Sequence, residues 1–476
     1  MLCISSKLKF LFAYLSTLFA GAVSLPVNPR FTKEELRYFL ADSEACVAAV
    51  DNERYPFVDE LRPNLPYLRS VFSEDVLFDP VAPPTPAPVV DASDPSLMIY
   101  SSGTTGWPKG IVHTHGNVAS SLRALQKCWR FTPDDVVLNV LPLFHIHGLA
   151  FATLMPLLSG ACVILDDFDP QRTMERIRDC TVFMAVPTIY YRFLEQPNFR
   201  DIAKTWTKTR LFTCGSAPIR PEVLPELESI LGKPVINRYG MSEAFVITSL
   251  PLDGPWPVGS VGTPLDGIEV RIAPFTDNQL PTPSPLVGEG RGGGCKGAGG
   301  RVGSVQIRGP NLFQGYWRGP RPLTPGHSPP AGRGETENAP SPAVSPPAGD
   351  GSNAWFDTGD LGYLDDNGFL TLVGRKNDLI ITSGFNVYPQ VVERVINECP
   401  GVAESAVLGV PDDRKGERVV AVVVRSDPAL GEERLGAFVS ERLVDYQQPK
   451  EIVFVDALPR NTMGKVLKRE LRDRFV

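Results

Sequence analysis

The chain has 476 residues, enough for about two to four domains with sizeable cores, and its 43% hydrophobic and 21% charged fractions are those of an ordinary globular protein. A formal net charge of -7 at pH 7 offers no global attraction for nucleic acid or for an anionic membrane, so neither is expected as a partner. Eight cysteines (Cys3, Cys46, Cys128, Cys162, Cys180, Cys214, Cys295 and Cys399) lie scattered without a C-x-x-C pair, which argues against a disulfide framework or a structural zinc site and for a reduced, cytoplasmic protein.

The first 25 residues admit two readings. Lys7 and Lys9, the apolar run from Phe10 to Leu15 and the small residues Ala20, Gly21 and Ala22 imitate a secretory signal peptide. The other reading is an apolar helix that runs into a folded domain, since Pro26 and an amphipathic stretch from Lys33 to Leu40 follow at once. The helix is preferred. No apolar run reaches the length of a membrane span, so no stable membrane anchor is expected.

Next comes the most informative segment. Residues 101–110 read Ser-Ser-Gly-Thr-Thr-Gly-Trp-Pro-Lys-Gly after the apolar run Leu97 to Tyr100. A strand that feeds a loop of small, hydroxyl-bearing and glycine residues is a phosphate-binding device: glycines admit the anion to the backbone, hydroxyls donate, and Lys109 adds charge. A Walker loop does not fit, because Lys109 follows Trp-Pro and Gly110 replaces the magnesium-binding hydroxyl. Taken alone, such a cluster is equally an ordinary turn.

From Asp94 to about Leu250, short apolar runs (136–141, 161–165, 182–186) alternate with helical stretches, the pattern of βα units on a largely parallel sheet. A more β-like stretch follows, with runs 267–272 and 303–308. Residues 281–301 and 319–353 break the pattern and read as low-complexity surface insertions. After Arg375 comes a compact α+β unit: 390–396 has helical periodicity, 419–424 reads as a strand, and Leu435, Phe438, Val439 and Leu443 share a helical face.

Further chemistry-bearing segments punctuate this order. Arg238-Tyr239-Gly240-Met241-Ser242-Glu243 sets a ring, a tight glycine, a hydroxyl and a carboxylate after an apolar strand. Asp357-Thr358-Gly359-Asp360 puts two carboxylates in an expected turn. Gly374-Arg375-Lys376-Asn377-Asp378 is a charged turn at the domain boundary, followed by Thr382-Ser383-Gly384-Phe385. Near the end, Met463-Gly464-Lys465 presents a lysine in a loop. Singly, each has a dull explanation; their order is what is specific.

Together the segments resemble the adenylate-forming superfamily of acyl-CoA synthetases, peptide-synthetase adenylation domains and luciferases, over nearly the whole chain apart from the two insertions. The resemblance implies an α/β architecture. A large N-terminal domain, residues 1–374, would hold layered, mostly parallel β-sheets, helices and a β-rich subdomain, and a small mobile α+β lid domain, residues 375–476, would follow. It also implies a two-step reaction: a carboxylate attacks the α-phosphorus of Mg-ATP to give an acyl-adenylate and pyrophosphate, then the thiol of CoA displaces AMP.

On this resemblance, Ser101, Ser102, Gly103, Thr104, Thr105, Gly106 and Lys109 would hold the β- and γ-phosphates. Glu243 would coordinate Mg2+ and Ser242 would donate to phosphate. Adenine would lie between Tyr239, next to Gly240, and the backbone of Gly215, Ser216, Ala217 and Pro218. Asp360 would accept from the ribose hydroxyls with Arg375 beside it, and Lys465 would bridge the attacking carboxylate and the α-phosphate. The lid would rotate about Asn377, where the family usually carries Asp or Lys, to bring Ser383 and Gly384 to the CoA side.

His147, in Pro142-Leu143-Phe144-His145-Ile146-His147-Gly148, matches the family's aromatic and histidine motif beside the acyl site and would gate or orient the carboxylate. A metal site on His113, His115, His145 and His147 is the alternative, without an acidic or cysteine partner at ligand spacing. Within the family the chain is most similar to malonyl-CoA synthetases. A dicarboxylate needs its second charge paired, and Arg238 and Arg192 are the candidate clamps. Other readings are a short- or medium-chain monocarboxylate ligase, or a nucleotide-binding homologue with little turnover, because the family carries substantial sequence before the equivalent of Phe12 to Pro29.

Overall fold

The computed structural model describes residues 1–76, 86–101, 108–274, 302–318, 355–382, 385–412, 416–460 and 466–475. Both low-complexity segments named above, 281–301 and 319–353, lie wholly outside them.

Runs rich in Val, Leu, Phe and Ala build the central sheet, and their lack of alternation follows from burial on both faces. Its seven strands lie in the order Thr263–Pro264, Phe245–Ser249, Val235–Met241, Leu211–Cys214, Val182–Ala185, Val136–Asn139, Cys162–Leu165. Pairing is parallel from Val235–Met241 to Cys162–Leu165 and antiparallel across the remaining two strands, so the expected βα units are present. Every residue of Val182–Ala185 is buried. Helices Pro170–Ile177, Pro187–Leu194 and Val223–Leu231 connect these strands and cover one side, where Phe183 of the sheet joins Tyr190, Phe193, Phe199 and Trp206 in a single cluster. Each such side chain contributes roughly 1.5–3 kcal/mol on burial.

The apolar run near residue 10 forms the helix Lys7–Phe19. Phe10 and Tyr14, one turn apart, are 2% and 0% exposed and join the main core with Trp129 and Phe151. The opposite face leaves Leu8, Phe12 and Phe19 exposed. A three-stranded parallel sheet, Leu2–Cys3, Val47–Val50 and Ser70–Ser73, adjoins it.

Strands Pro95–Ser101 and Lys109–Thr114 form the antiparallel hairpin that carries the glycine-rich loop, with Gly315–Tyr316 added at its edge. The β-rich subdomain is a four-stranded antiparallel sheet, Glu269–Ala273, Gly303–Arg308, Phe356–Leu364 and Leu370–Arg375. The turn expected at residues 357–360 is part of a strand instead. The two carboxylates of residues 357–360 lie on a strand that bulges, not in a free turn, because Gln306 pairs with Asp357 and Ser304 with Leu361. Residues 358–360 therefore stand against Val305 alone on the Gly303–Arg308 side, while Asp360 stays paired with Arg375 on the other.

The smaller C-terminal domain has its own core of Val387, Val392, Val407, Val419, Ala421 and Leu435 among others. Its sheet runs Phe385–Val387, Ile380–Thr382, Gly416–Arg425, Val402–Asp412, with Glu451–Val455 parallel to Gly416–Arg425. Helices Pro389–Asn397 and Glu432–Ser440 complete the α+β unit, with Leu443 just beyond the second helix rather than on it.

Candidate active site

The strand Val235–Met241 ends in the Arg-Tyr-Gly-Met run and doubles back as Phe245–Ser249. Only glycine fits at 240, since a Cβ there would fall 2.0 Å from the Phe245 carbonyl oxygen. The close approach sets Tyr239, 8% exposed, beside the bulge of the β-rich sheet. Tyr239 Oη donates to Asp360 Oδ2 at 2.5 Å, and Arg375 Nε lies 3.1 Å from Asp360 Oδ1. Asp360 and Arg375 are direct cross-strand partners. Burial, and then the Asp360 charge, push the Tyr239 phenol far up, so it keeps its proton and acts as the donor. Each Asp360 oxygen retains a lone pair for a further donor.

The Leu211–Cys214 strand, parallel to Val235–Met241, delivers residues 215–218, with Ser216 and Pro218 exposed and Ser216 held at φ +71. Ser216 and Pro218 thus leave part of this segment open next to the strand that carries Tyr239.

Lys109 starts the second strand of the loop hairpin and is exposed, its Nζ 5.4 Å above the Tyr316 ring. Tyr316 Oη donates to Glu243 Oε1 at 3.1 Å. Burial raises the Glu243 carboxyl above its ordinary value, and no basic side chain pairs with it among the described residues. His113, 0% exposed, anchors the preceding residue: its Nε2 lies 2.7 Å from the Ser242 carbonyl oxygen. A carbonyl only accepts, so the proton sits on Nε2. Burial pushes this imidazole down to about 4, which keeps it neutral.

The acyl side centres on Arg238, which is 5% exposed. Its guanidinium packs 4.8 Å from the Phe151 ring centroid, and a Cβ on Gly215 would meet its Cζ at 2.7 Å. Nε and Nη2 are buried without a hydrogen-bond partner, and no carboxylate pairs with it among the described residues. Burial lowers it to about 10, so it remains charged at neutral pH. His147 is 3% exposed, with Nδ1 3.1 Å from Ser216 Oγ and Nε2 unpartnered. Burial, then the charge of Arg238, holds its imidazole well below the ordinary value and hence neutral. A buried unpaired cation beside a neutral imidazole is a site for an anion.

Arg192 does not belong here. Its side chain is 65% exposed on the outer face of Pro187–Leu194 and lies 3.8 Å from Glu195, because Ile189, Tyr190 and Phe193 occupy the buried face of that helix. Asn377 sits exposed in the short 3-10 turn Lys376–Asp378 between the two domains. Residues 102–106, Ser383, Gly384, Lys465 and the side chain of Ser101 lie outside the described residues. Tyr316 and Phe151 were missed as site residues by the sequence reading; the Gly-Tyr-Trp run at 315–317 was the available signal for the first.

Among the described residues no group of three or more His, Cys, Asp or Glu is arranged to hold a metal ion. His113, one member of the alternative histidine site, is spent on the Ser242 carbonyl. Glu243 alone fits a magnesium ion shared with a nucleotide, which takes one or two carboxylates and substrate phosphates rather than a protein cage.

A family model described as AMP-binding enzyme matches residues 1–317, and one described as AMP-binding enzyme C-terminal domain matches 391–465. The chain belongs to the AMP-binding enzyme family. Within the family it is an AMP-forming acid–CoA ligase of the adenylate-forming superfamily. The mouse mitochondrial malonate–CoA ligase ACSF3 is 34% identical, over 98% of this chain and 80% of that protein. The ATP-bound MatB of Rhodopseudomonas palustris superposes with a TM-score of 0.85 at 34% identity, over 100% of this chain and 88% of that one. Its apo form scores 0.75 at the same identity and coverage.

Proposed function

We propose that this AMP-binding enzyme is a malonyl-CoA synthetase that converts malonate, ATP and CoA into malonyl-CoA, AMP and pyrophosphate. The observation that carries the choice of acid is Arg238, a buried guanidinium with no carboxylate partner among the described residues. A monocarboxylate's apolar tail would strand that charge, whereas the distal carboxylate of malonate neutralises it. The relatives named for malonate support the same substrate.

Arg238 holds the distal carboxylate, and the unpartnered Nε2 of neutral His147 orients the one that reacts. The reactive carboxylate attacks the α-phosphorus of ATP and pyrophosphate leaves. Tyr239 and residues 215–218 receive the adenine, Asp360 and Arg375 the ribose, and the 101–106 loop with Lys109 and Ser242 the phosphates. Magnesium, held through Glu243 and the phosphates, supplies charge neutralisation when bound. Lys465 bridges the acid and the α-phosphate where negative charge accumulates. Residues 375–476 then turn about Asn377, bringing Ser383 and Gly384 toward CoA for the second displacement, while residues 1–374 stay fixed.

The described residues contain no helix long and apolar enough to cross a membrane. Seven free cysteines among them accord with a reducing compartment, the cytoplasm in our reading.

Pyrophosphate release from an acid panel tests the proposal. Malonate or methylmalonate is expected to turn over, with acetate and octanoate inert. Arg238→Leu is expected to lower kcat/KM for malonate by some hundredfold, about 3 kcal/mol for a lost buried charge pair. Equal turnover of acetate, or malonate turnover retained by Arg238→Leu, overturns the choice of acid.

A further inference from the structure

Arg220 follows the nucleotide-side segment 215–218 and reaches out of the large domain. Its Nη1 donates to the carbonyl oxygen of Ala403 at 2.8 Å, in the Val402–Asp412 strand of the C-terminal domain. On its own side it is braced twice. The guanidinium lies 4.7 Å from the Tyr191 ring centroid, and the Arg220 backbone N–H donates to Tyr191 Oη at 3.1 Å.

The acceptor is equally specific. Val402 pairs with Arg425 and Glu404 with Val424, so Ala403 is an extra residue with no cross-strand partner. This strand is also the last in the order of its sheet. A bulge on an edge strand frees a carbonyl from the ladder and re-aims it, and here the freed oxygen takes an arginine from the other domain. The chain in which they meet superposes as a whole on the ATP-bound MatB at a TM-score of 0.85 and on the apo form of the same protein at 0.75, with identity and coverage unchanged.

We propose that Arg220 is a positioning residue that latches the C-terminal domain in the arrangement used for acyl-adenylate formation, with the bulged Ala403 carbonyl as its catch. The proposal rests on the two-step ligase reading above. The link is a single charge-assisted hydrogen bond, strong enough to bias an equilibrium between two lid positions by about tenfold and weak enough to break in each turnover.

The test compares wild type with Arg220→Ala and Arg220→Lys. Malonate-dependent exchange of pyrophosphate into ATP reports adenylation, and CoA thioester formation from synthetic malonyl-adenylate reports the second step. Arg220→Ala is expected to lower kcat for exchange about tenfold with KM for malonate unchanged, while thioester formation is unchanged or faster. Arg220→Lys, which can still donate to the carbonyl, is expected to recover part of the exchange rate. An equal fall in both half-reactions marks a merely structural residue and overturns the latch, as does unaltered exchange. Small-angle scattering with ATP and no acid supplies an arm independent of the substrate reading. The wild-type profile is expected to fit the arrangement seen here and that of Arg220→Ala to depart from it; identical profiles overturn the latch even if no acid is found to turn over.

Discussion

His113 shows how much a single buried side chain commits. It is 0% exposed, 4.3 Å from the Phe245 ring and tied to Ser242, and burial pushes it down to about 4 from an ordinary 6.5. Between those values the unfolded chain binds a proton that the folded chain refuses, so stability rises with pH across this window. The contribution is fully present above about pH 6.5 and is lost as pH falls toward about 4, amounting to about 3 kcal/mol. His145 and His147, also depressed by burial, act in the same direction; Glu243, whose carboxyl burial raises, acts against them. Urea midpoints measured from pH 7.5 to 4.5 are expected to fall steeply in wild type and less steeply in His113→Phe. Equal slopes would mean that His113 titrates normally in the folded state.

At the scale of elements, the site depends on two glycines that fail differently. Gly359 holds φ +73 at the tip of the bulge that projects Asp360, and an added Cβ there would meet nothing within 4 Å. Gly359→Ala is therefore a backbone penalty alone, about 1 kcal/mol of stability, with KM for ATP raised several-fold as Asp360 shifts. Gly240→Ala, which would force a Cβ to 2.0 Å from a carbonyl oxygen, is expected to abolish activity and fold poorly. Thermal melts alongside ATP titrations separate the two cases; similar melting temperatures would refute the distinction.

The same elements mark what the sequence could reveal. Alternating apolar runs gave the parallel sheet because fully buried strands have to be continuous in Val, Leu and Phe. The Tyr239 and Asp360 motifs were legible as motifs, but their 2.5 Å hydrogen bond depends on a bulge opposite Val305, which no local pattern announces. Arg192 was misplaced by chain proximity, although its position off the Ile189, Tyr190 and Phe193 stripe already placed it outside. The bulged carbonyl of Ala403 and its arginine, 183 residues apart in sequence, had no sequence signature at all.

For the molecule as a whole, the lid rotation proposed above implies that one variant can separate two chemistries. Lys465 falls outside the described residues, and its role comes from the family pattern at Met463-Gly464-Lys465. In the proposed role, between acid and α-phosphate, its charge would be needed only while pentacoordinate phosphorus carries extra negative charge; thioester formation has no such intermediate and would use the other lid position. Lys465→Ala is thus expected to cut malonate-dependent pyrophosphate release by about a hundred- to a thousandfold, the scale of one preorganised transition-state contact. Thioester formation from synthetic malonyl-adenylate and CoA should stay within a few-fold of wild type. Arg220→Ala, by contrast, should weaken adenylation without removing it, since it biases the lid and leaves the charge in place. Equal loss of both half-reactions in Lys465→Ala would place the lysine in the folding of the lid, and a two-step assay on the same preparations distinguishes these outcomes.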